Sequence, residues 1–200
     1  MSSKQITLIT TAVSKFTGKK KNLIFLGEWC HADYKNNFNN LKQNQTMKHH
    51  WCEFNKRLKD VKYLEKHYEK ILRKLSSKLN KIHKVNRNLR YWRIIIGPWL
   101  LFYIPSMFDR WEHLRGFFKK YHNAEKKTYY FNTEDDIFYN SDTADYVDKI
   151  DRSDFWNYNN YLRIIKFKYL QEIILEKKNL VKRPIDYKNK KAYKIKNILS

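Results

Sequence analysis

Residues 22–31 read NLIFLGEWCH, and this stretch decides how the fold of the chain is interpreted. The short apolar run Leu23–Leu26 is typical of a buried β-strand. It stops at Gly27, and an acid, an aromatic residue, a thiol and an imidazole follow in succession from Glu28 to His31. Reactive side chains directly after a buried strand indicate the edge of a sheet at which a functional site forms.

A second strand is predicted upstream, where Ile6–Thr11 is apolar and β-branched. Together the two runs predict a small sheet in a helix-rich α/β fold. The segment that links them has about ten residues, which is the lower limit for a parallel crossover, so an antiparallel pair is the alternative.

A parallel arrangement would bring two sets of polar residues to the same edge. Thr10 and Thr11 end the first strand, and Glu28 and His31 follow the second. Open α/β folds bind ligands at the carboxyl ends of their strands. We therefore expect the threonine hydroxyls near a ligand, and Glu28 or His31 as a general base toward an acceptor hydroxyl. The alternative role of Glu28 is structural, as a helix cap or as the partner of a core arginine.

A long amphipathic helix is the clearest pattern downstream. From position 55 onwards, apolar residues recur every three or four positions: Leu58, Val61, Leu64, Tyr68, Ile71, Leu75, Leu79 and Ile82. This period predicts one helix of about 28 residues whose stripe packs in the core, in preference to a coiled-coil seam. A turn or a helix cap is predicted at residues 86–89.

The second helical region surrounds the apolar run Ile94–Ile104. We predict helices over Arg90–Ile96 and Trp99–Tyr121. Pro98 then lies near a helix start and Pro105 at a kink. Because a spanning helix needs roughly 20 apolar residues, the run is interpreted as a buried helix at the centre of the core, with a membrane-surface patch as the alternative.

The last third of the chain predicts two short strands, one helix and a basic tail. Thr128–Phe131 and Ile137–Tyr139 are β-like. Ser153 is a candidate N-cap for a helix that runs to Lys178. Beyond residue 176 the charged residues are almost all Lys or Arg. The predicted organisation is a lobe over residues 1–176 and a flexible basic tail over residues 177–200.

The chain is strongly basic, with 42 Lys and Arg residues against 20 Asp and Glu and a formal net charge of +22. Such a surface attracts phosphates or anionic lipid, although lysines that merely fill solvated helix faces give the same composition. No recognised nucleic-acid-binding motif is present, so nucleic acid is not the expected partner. Two cysteines exclude a disulfide framework, and no secretory signal is found. We predict a cytoplasmic protein that can associate peripherally with the inner membrane surface.

Two arginines are candidates for binding an anion. Arg90 and Arg93 are three positions apart on one predicted helix face. The planar fork of arginine suits bidentate contacts with phosphate or carboxylate. The alternative is that one of them pairs with an internal acid such as Glu28 or Asp109.

The sequence lacks the motifs of the common nucleotide and nucleophile sites. There is no GxxxxGK[ST], no GxGxxG and no GxSxG. His49, His50 and Cys52 are metal-like in type, but adjacent histidines seldom converge on one ion and no third ligand has suitable spacing. We therefore predict neither a metal nor a cofactor bound by this chain.

Four segments, taken together, resemble a known family. They are TLITTAV at 7–13, NLIFLGEWC at 22–30, KHHW at 48–51 and LRYWRIIIGPWLLFYIPSMFDRW at 89–111. In this order and spacing they are similar to the N-terminal part of a family of transferases associated with bacterial O-antigen and surface-polysaccharide biosynthesis. The similarity extends over residues 5–175.

This resemblance implies a glycosyltransferase-like enzyme of two lobes, of which the chain is similar to the N-terminal one, with a Rossmann-like sheet. It implies a nucleotide-sugar donor bound mainly by a C-terminal lobe, which would be a separately encoded partner, and a glycan or lipid-linked glycan acceptor. In our interpretation Glu28 activates the acceptor hydroxyl, and Arg90 or Arg93 stabilises phosphate charge. The alternatives are a non-enzymatic basic module that binds polyanions or the inner membrane surface, and an inactive truncated remnant.

Overall fold

The computed structural model describes residues 5–12, 22–30, 46–131 and 140–178. His31, the predicted strand Ile137–Tyr139 and the tail beyond residue 178 lie outside these ranges. The described residues form a helix-rich α/β fold with a small, Rossmann-like parallel sheet, as the sequence predicts. The chain divides into two compact units, which are described separately: Met1–Met47 with Tyr121–Tyr139 and Asp148–Ser200, and Lys48–Lys120 with Asn140–Val147.

The first unit contains a sheet of four strands. They are β1 (Ile6–Ile9), β2 (Leu23–Phe25), β3 (Lys126–Phe131) and β4 (Ile174–Lys178), in the order β2-β1-β3-β4. Every pairing is parallel, so the parallel alternative for the first two strands is confirmed. All residues of β1 and β2 are buried. This agrees with their sequences, which are apolar apart from Thr7, because strands covered on both faces form near-continuous apolar runs.

The helix predicted from Ser153 to Lys178 is correct only in its first part. The Ser153 hydroxyl accepts a hydrogen bond from the backbone N–H of Trp156 at 3.1 Å and caps α4 (Asp154–Ile164). A π-helical turn (Ile165–Tyr169) follows, and the chain then enters β4. The apolar period does not reveal this change, because the backbone partner of β4 is β3, far away in the sequence. The predicted domain boundary at residue 176 falls inside β4.

The second unit is built on two long helices, α1 (Phe54–His83) and α2 (Leu89–Lys120). The turn between them lies where it was expected. Lys84 has a left-handed φ of 52° at the end of α1. At the start of α2, the side chain of Asn88 accepts a hydrogen bond from the backbone N–H of Tyr91 at 2.9 Å. A further helix, α3 (Thr143–Arg152), was not predicted and belongs in part to each unit.

The apolar stripe of α1 packs in its central part. Residues there contact Leu100 and Ile104 of α2, and Leu72 is fully buried. At the two ends of the stripe, Leu58 and Ile82 are 46% and 70% exposed. The interpretation as core packing therefore holds for the middle of the helix, where α2 covers it.

The break predicted before Pro98 is wrong, because α2 continues through both Pro98 and Pro105. Proline removes one intrahelical hydrogen bond, a loss that packing along a neighbouring helix can offset. Gly97 contributes to that packing. A Cβ at this position would lie 2.7 Å from the Tyr68 hydroxyl of α1, so any larger residue would have to displace the end of that side chain.

The prediction that Ile94–Ile104 is buried throughout is also wrong. Ile94 is 66% exposed and Leu101 is 60% exposed, whereas Leu100 is buried. The physical reason is geometric, since a helix that packs on one neighbour buries the face turned toward it and leaves the opposite face in solvent.

Candidate functional site

The carboxyl edge of the sheet carries polar residues that the sequence predicted there. Because β1 and β2 are parallel, Thr10–Thr11 and Leu26–Cys30 leave the sheet on the same side. Thr10 and Thr11 are buried, whereas Glu28 is exposed in a short 3-10 turn. Among the described residues, Glu28 has neither a hydrogen bond nor an ion pair. The edge therefore offers a carboxylate to solvent.

Trp29 ties the ends of the two strands together. Its indole Nε1 donates a hydrogen bond to the carbonyl oxygen of Thr10 at 2.9 Å. The backbone N–H of Leu26 donates to the carbonyl oxygen of Ile9, also at 2.9 Å. The indole ring lies over Gly27, where any Cβ would overlap it. Glycine is needed here because it has no Cβ. Its backbone conformation is not the reason, since no described glycine has a positive φ angle.

Cys30 has a structural role at this edge. Its side chain is fully buried, and its Sγ donates to the carbonyl oxygen of Ile9 at 3.4 Å. Burial raises the pKa of the Cys30 thiol to about 12. The thiol is therefore protonated at neutral pH and does not act as a nucleophile. His31 lies outside the described residues, and its role as a base stays a prediction.

The two arginines predicted to bind an anion lie on α2. The guanidinium of Arg93 makes two hydrogen bonds to the carboxylate of Glu69, at 2.5 Å and 2.9 Å. The ion pair with Glu69 therefore occupies the guanidinium N–H groups that would otherwise contact a phosphate. Arg90 is exposed and has no ion pair among the residues that the structure describes. The acid that pairs with Arg93 is thus neither Glu28 nor Asp109 but Glu69 of α1, whose side chain is 41% exposed and therefore not internal.

A second candidate site, which the sequence did not predict, lies in the second unit. We call it the histidine–aspartate cluster: His49, His50, Asp109 and His113. The two adjacent histidines precede α1, with His50 at the start of a 3-10 turn (His50–Cys52). Asp109 and His113 are one turn apart on α2. Each of the four offers one nitrogen or oxygen atom, and these atoms lie within 4.8 Å of one another.

Asp109 is at the centre of this cluster. Its Oδ1 lies 2.9 Å from His50 Nε2, 3.3 Å from His49 Nε2 and 3.4 Å from His113 Nδ1. His113 Nδ1 is also 2.8 Å from the carbonyl oxygen of Asp109. The three imidazole rings contact one another, with centroid separations of 5.0, 4.5 and 4.6 Å.

Burial and mutual contacts set the charges in the cluster. Burial lowers the pKa of His113 to about 4, against the opposing effect of Asp109. Burial also lowers the pKa of His49. Burial alone would raise the pKa of Asp109, but the hydrogen bond from His50 and the other histidines outweigh it, so this pKa lies below its ordinary value. At neutral pH the cluster presents a carboxylate beside the neutral rings of His49 and His113.

Two more carboxylates lie beside the cluster, and both are paired with cations. Lys56 Nζ contacts Asp60 Oδ2 at 2.5 Å and Glu112 Oε2 at 2.9 Å. Arg115 adds two hydrogen bonds to Glu112, at 2.6 Å and 2.8 Å. His50, Asp60 and Glu112 also form a group with metal-ligand chemistry. The Lys56 ammonium, however, already bridges its two carboxylates.

His49 and His50 are adjacent in the sequence, whereas Asp109 and His113 lie far away along the chain. His50 and Asp109 are separated by 59 positions. Cys52, which stands next to the histidines in the sequence, is exposed and is not part of the cluster. The usable signal was the spacing of Asp109 and His113, because residues four positions apart share one face of a helix.

An apolar groove of about 450 Å³ lies between α1 and α2. Its lining includes Trp51, Val61, Leu64, Leu100 and Ile104. No helix in the described part of the chain is both long enough and apolar enough to cross a bilayer.

The chain is similar to a known protein family. A family model described as LIC12162 family transferase matches residues 6–200. Neither a curated protein nor a solved structure matches the chain at a significant level. The matched range includes the sheet edge, both arginines and the histidine–aspartate cluster.

Proposed function

The chain belongs to the LIC12162 family of transferases, and we propose that it is the N-terminal lobe of a glycosyltransferase-like enzyme of bacterial surface-polysaccharide and O-antigen biosynthesis. The donor in this proposal is a nucleotide sugar, and the acceptor is a glycan or a lipid-linked glycan. Family membership, the four similar segments and the geometry of the sheet edge support it.

The observation that carries the proposal is the exposed carboxylate of Glu28 at the carboxyl edge of a parallel sheet. In the order β2-β1-β3-β4, β1 lies between β2 and β3. The chain passes from β1 to β2 on one side, and β3 later pairs with β1 on the other side. Such a reversal opens a crevice beyond the carboxyl ends of the strands, where open α/β folds bind ligands. In this proposal the end of β1, at Thr10 and Thr11, borders the crevice.

Glycosyl transfer from a nucleotide sugar needs a base that accepts the proton of the attacking acceptor hydroxyl. In this proposal Glu28 is that base, since its carboxylate is exposed and unpaired among the described residues. The acceptor oxygen bonds to the anomeric carbon, and the nucleotide leaves with the electrons of the broken C–O bond. Its phosphate gains negative charge, which an arginine fork can stabilise. Arg90 and Arg93 belong to the other unit, so this role for either of them stays a prediction from the sequence, and the fork of Arg93 is held by Glu69.

The test is turnover of sugar nucleotides by the chain alone and together with a C-terminal lobe. Glu28→Gln should lower kcat by roughly 10²–10⁴-fold, which is the usual contribution of a general base. Glu172→Gln is the matched control and should leave kcat unchanged. Glu172 is an exposed glutamate of the same unit that precedes β4, and it therefore lies at the opposite edge of the sheet.

Two results would contradict the proposal at different levels. Full activity of the Glu28→Gln variant would show that another group is the base. Absence of sugar-nucleotide turnover in a two-lobe assembly would overturn glycosyl transfer itself and leave another kind of group transfer.

The second unit, taken by itself, is a candidate binder of the lipid of a lipid-linked acceptor, because the lining of the apolar groove between α1 and α2 can bind an alkyl chain. A lipid-linked acceptor should then have a lower KM than the same glycan without lipid. Equal KM values would favour a free glycan.

The net charge of +22 supports a second candidate function, attachment to an anionic membrane surface. Binding to vesicles that contain anionic lipid should weaken steeply with salt, and binding to neutral vesicles should be absent. Deletion of residues 179–200, which leaves all of β4 in place, should weaken this binding. Unchanged binding would show that the tail is not the binding element.

A further inference from the structure

We propose that the histidine–aspartate cluster binds a divalent transition-metal ion of the zinc type. The ligands are His50, Asp109 and His113, with His49 as the fourth. This site goes beyond the transferase chemistry and does not depend on it, because all four residues belong to the second unit.

The spacing of the donor atoms suits a four-coordinate ion. Tetrahedral zinc has bonds of about 2.0–2.1 Å to nitrogen and oxygen, which separates neighbouring ligand atoms by about 3.3–3.4 Å. Asp109 Oδ1 lies 2.9 Å from His50 Nε2 and 3.3 Å from His49 Nε2. A ring nitrogen of His113 completes a set of four atoms within 4.8 Å of one another. Small movements of these side chains would therefore admit an ion.

The type of ligand selects the class of ion. Imidazole nitrogen suits zinc, copper, nickel and iron, whereas magnesium and calcium prefer larger sets of oxygen ligands. Four protein ligands fill a tetrahedral shell and leave no position for a substrate. The site is therefore structural, and the ion joins the segment before α1 to the face of α2 that carries Asp109.

A further carboxylate lies where it can orient a metal-bound histidine. His50 Nδ1 is buried and has no hydrogen-bond partner among the described residues. Asp60 Oδ2 lies 3.8 Å from it. Asp60 is itself held by the indole Nε1 of Trp51 at 2.9 Å. With the ion on Nε2, His50 Nδ1 carries the proton and Asp60 accepts it, an arrangement common among metal-binding histidines.

The same reasoning applies to His113. Its Nδ1 lies 2.8 Å from the carbonyl oxygen of Asp109. When Nδ1 donates its proton to this carbonyl, the lone pair of the ring is on Nε2, which is a buried atom.

His49 is the weakest of the four ligands. Its Nδ1 accepts a hydrogen bond from the backbone N–H of Trp51 at 3.1 Å and caps the 3-10 turn. A neutral imidazole carries one proton, so coordination through Nε2 moves that proton to Nδ1 and removes the cap. The His49 side chain is also 39% exposed. Removal of His49 should therefore weaken metal binding less than removal of His50 or Asp109.

The test measures the zinc content of the full chain after loading with zinc and gel filtration in metal-free buffer. One zinc ion per chain is expected. His50→Ala and Asp109→Ala should lose stoichiometric zinc, whereas His49→Ala should keep a weaker site. Cys52→Ser and His67→Ala are the controls and should bind zinc like the unaltered chain, since neither residue belongs to the cluster.

A milder variant guards against loss of folding. Asp60→Asn leaves all four ligands in place and should lower zinc affinity about 10–100-fold, as expected for a residue that orients a ligand. Circular dichroism verifies the fold of each variant. Cobalt(II) in place of zinc should give the visible bands of a four-coordinate ion in the unaltered chain.

Several results would overturn the site. They are absence of retained zinc in the unaltered chain, full zinc retention by folded His50→Ala and Asp109→Ala variants, and loss of zinc in the His67→Ala control. None of these measurements uses a sugar substrate, so failure of the metal site and failure of the proposed transferase activity remain distinguishable.

Discussion

The sheet edge around Glu28 and the histidine–aspartate cluster are built in different ways. At the edge, the polar residues follow one another directly after β2. In the cluster, His50 and Asp109 are 59 positions apart and meet through the packing of α1 and α2. A short stretch of sequence can therefore predict the first site, whereas the second exists only once two helices are in contact.

The two regions also differ in what they offer to a ligand. Glu28 is exposed, and its carboxylate can meet a substrate that binds and leaves. The cluster is partly buried, and His113 is almost inaccessible. A partly enclosed set of imidazoles and one carboxylate suits an ion that stays bound.

The largest difference is expected in the rate at which an alkylating reagent modifies the two cysteines, one of which lies in each region. Cys52 is exposed in the turn beside the cluster. Cys30 is buried at the sheet edge, and its pKa of about 12 lowers its thiolate fraction about 10³-fold relative to an ordinary thiol. An alkylating reagent at neutral pH should therefore modify Cys52 rapidly and Cys30 only after denaturation, as mass spectrometry can measure. Rapid modification of both would contradict a closed sheet edge.

The next effect is expected in the helix pair that supports the cluster. Leu72 is fully buried, so Leu72→Ala should lower the free energy of unfolding by about 2–5 kcal/mol through lost burial and a new cavity. Leu101→Ala is the matched control, because Leu101 is 60% exposed, and its effect should stay within about 0.5 kcal/mol. Urea denaturation measures both. Equal effects would mean that α1 and α2 do not pack as described.

A smaller effect is expected at Gly27. Gly27→Ala places a methyl group where the Trp29 ring lies, and overpacking of this kind lowers stability by about 1–3 kcal/mol. In a Trp29→Ala background the same change should have less effect, because the ring that it overlaps is gone. Equal effects in both backgrounds would show that the contact with Trp29 is not the reason for glycine.

The smallest effect is expected from the hydrogen bond that joins the two strand ends. Trp29→Phe keeps an aromatic ring and removes the bond from Nε1 to the carbonyl oxygen of Thr10. The free energy of unfolding should fall by about 0.5–1.5 kcal/mol. No change in urea denaturation would mean that this bond does not stabilise the edge.

Features with local causes could be predicted from the sequence. The Ser153 cap, the extent of α1 and the positions of β1 and β2 follow from residues a few positions apart. Features with distant causes could not. The run after Ile173 becomes β4 because β3 pairs with it, and Arg93 meets Glu69 because α1 lies alongside α2.

By itself, the sequence determined where the principal strands and long helices form and which reactive residues follow β2. Tertiary structure alone decided the parallel order of the sheet, the exposed face of α2 and the meeting of His49 and His50 with Asp109 and His113. The physical reason is the range of the interactions. Helix periods, caps and strand runs depend on near neighbours in the chain, whereas pairing and clustering depend on which surfaces pack together.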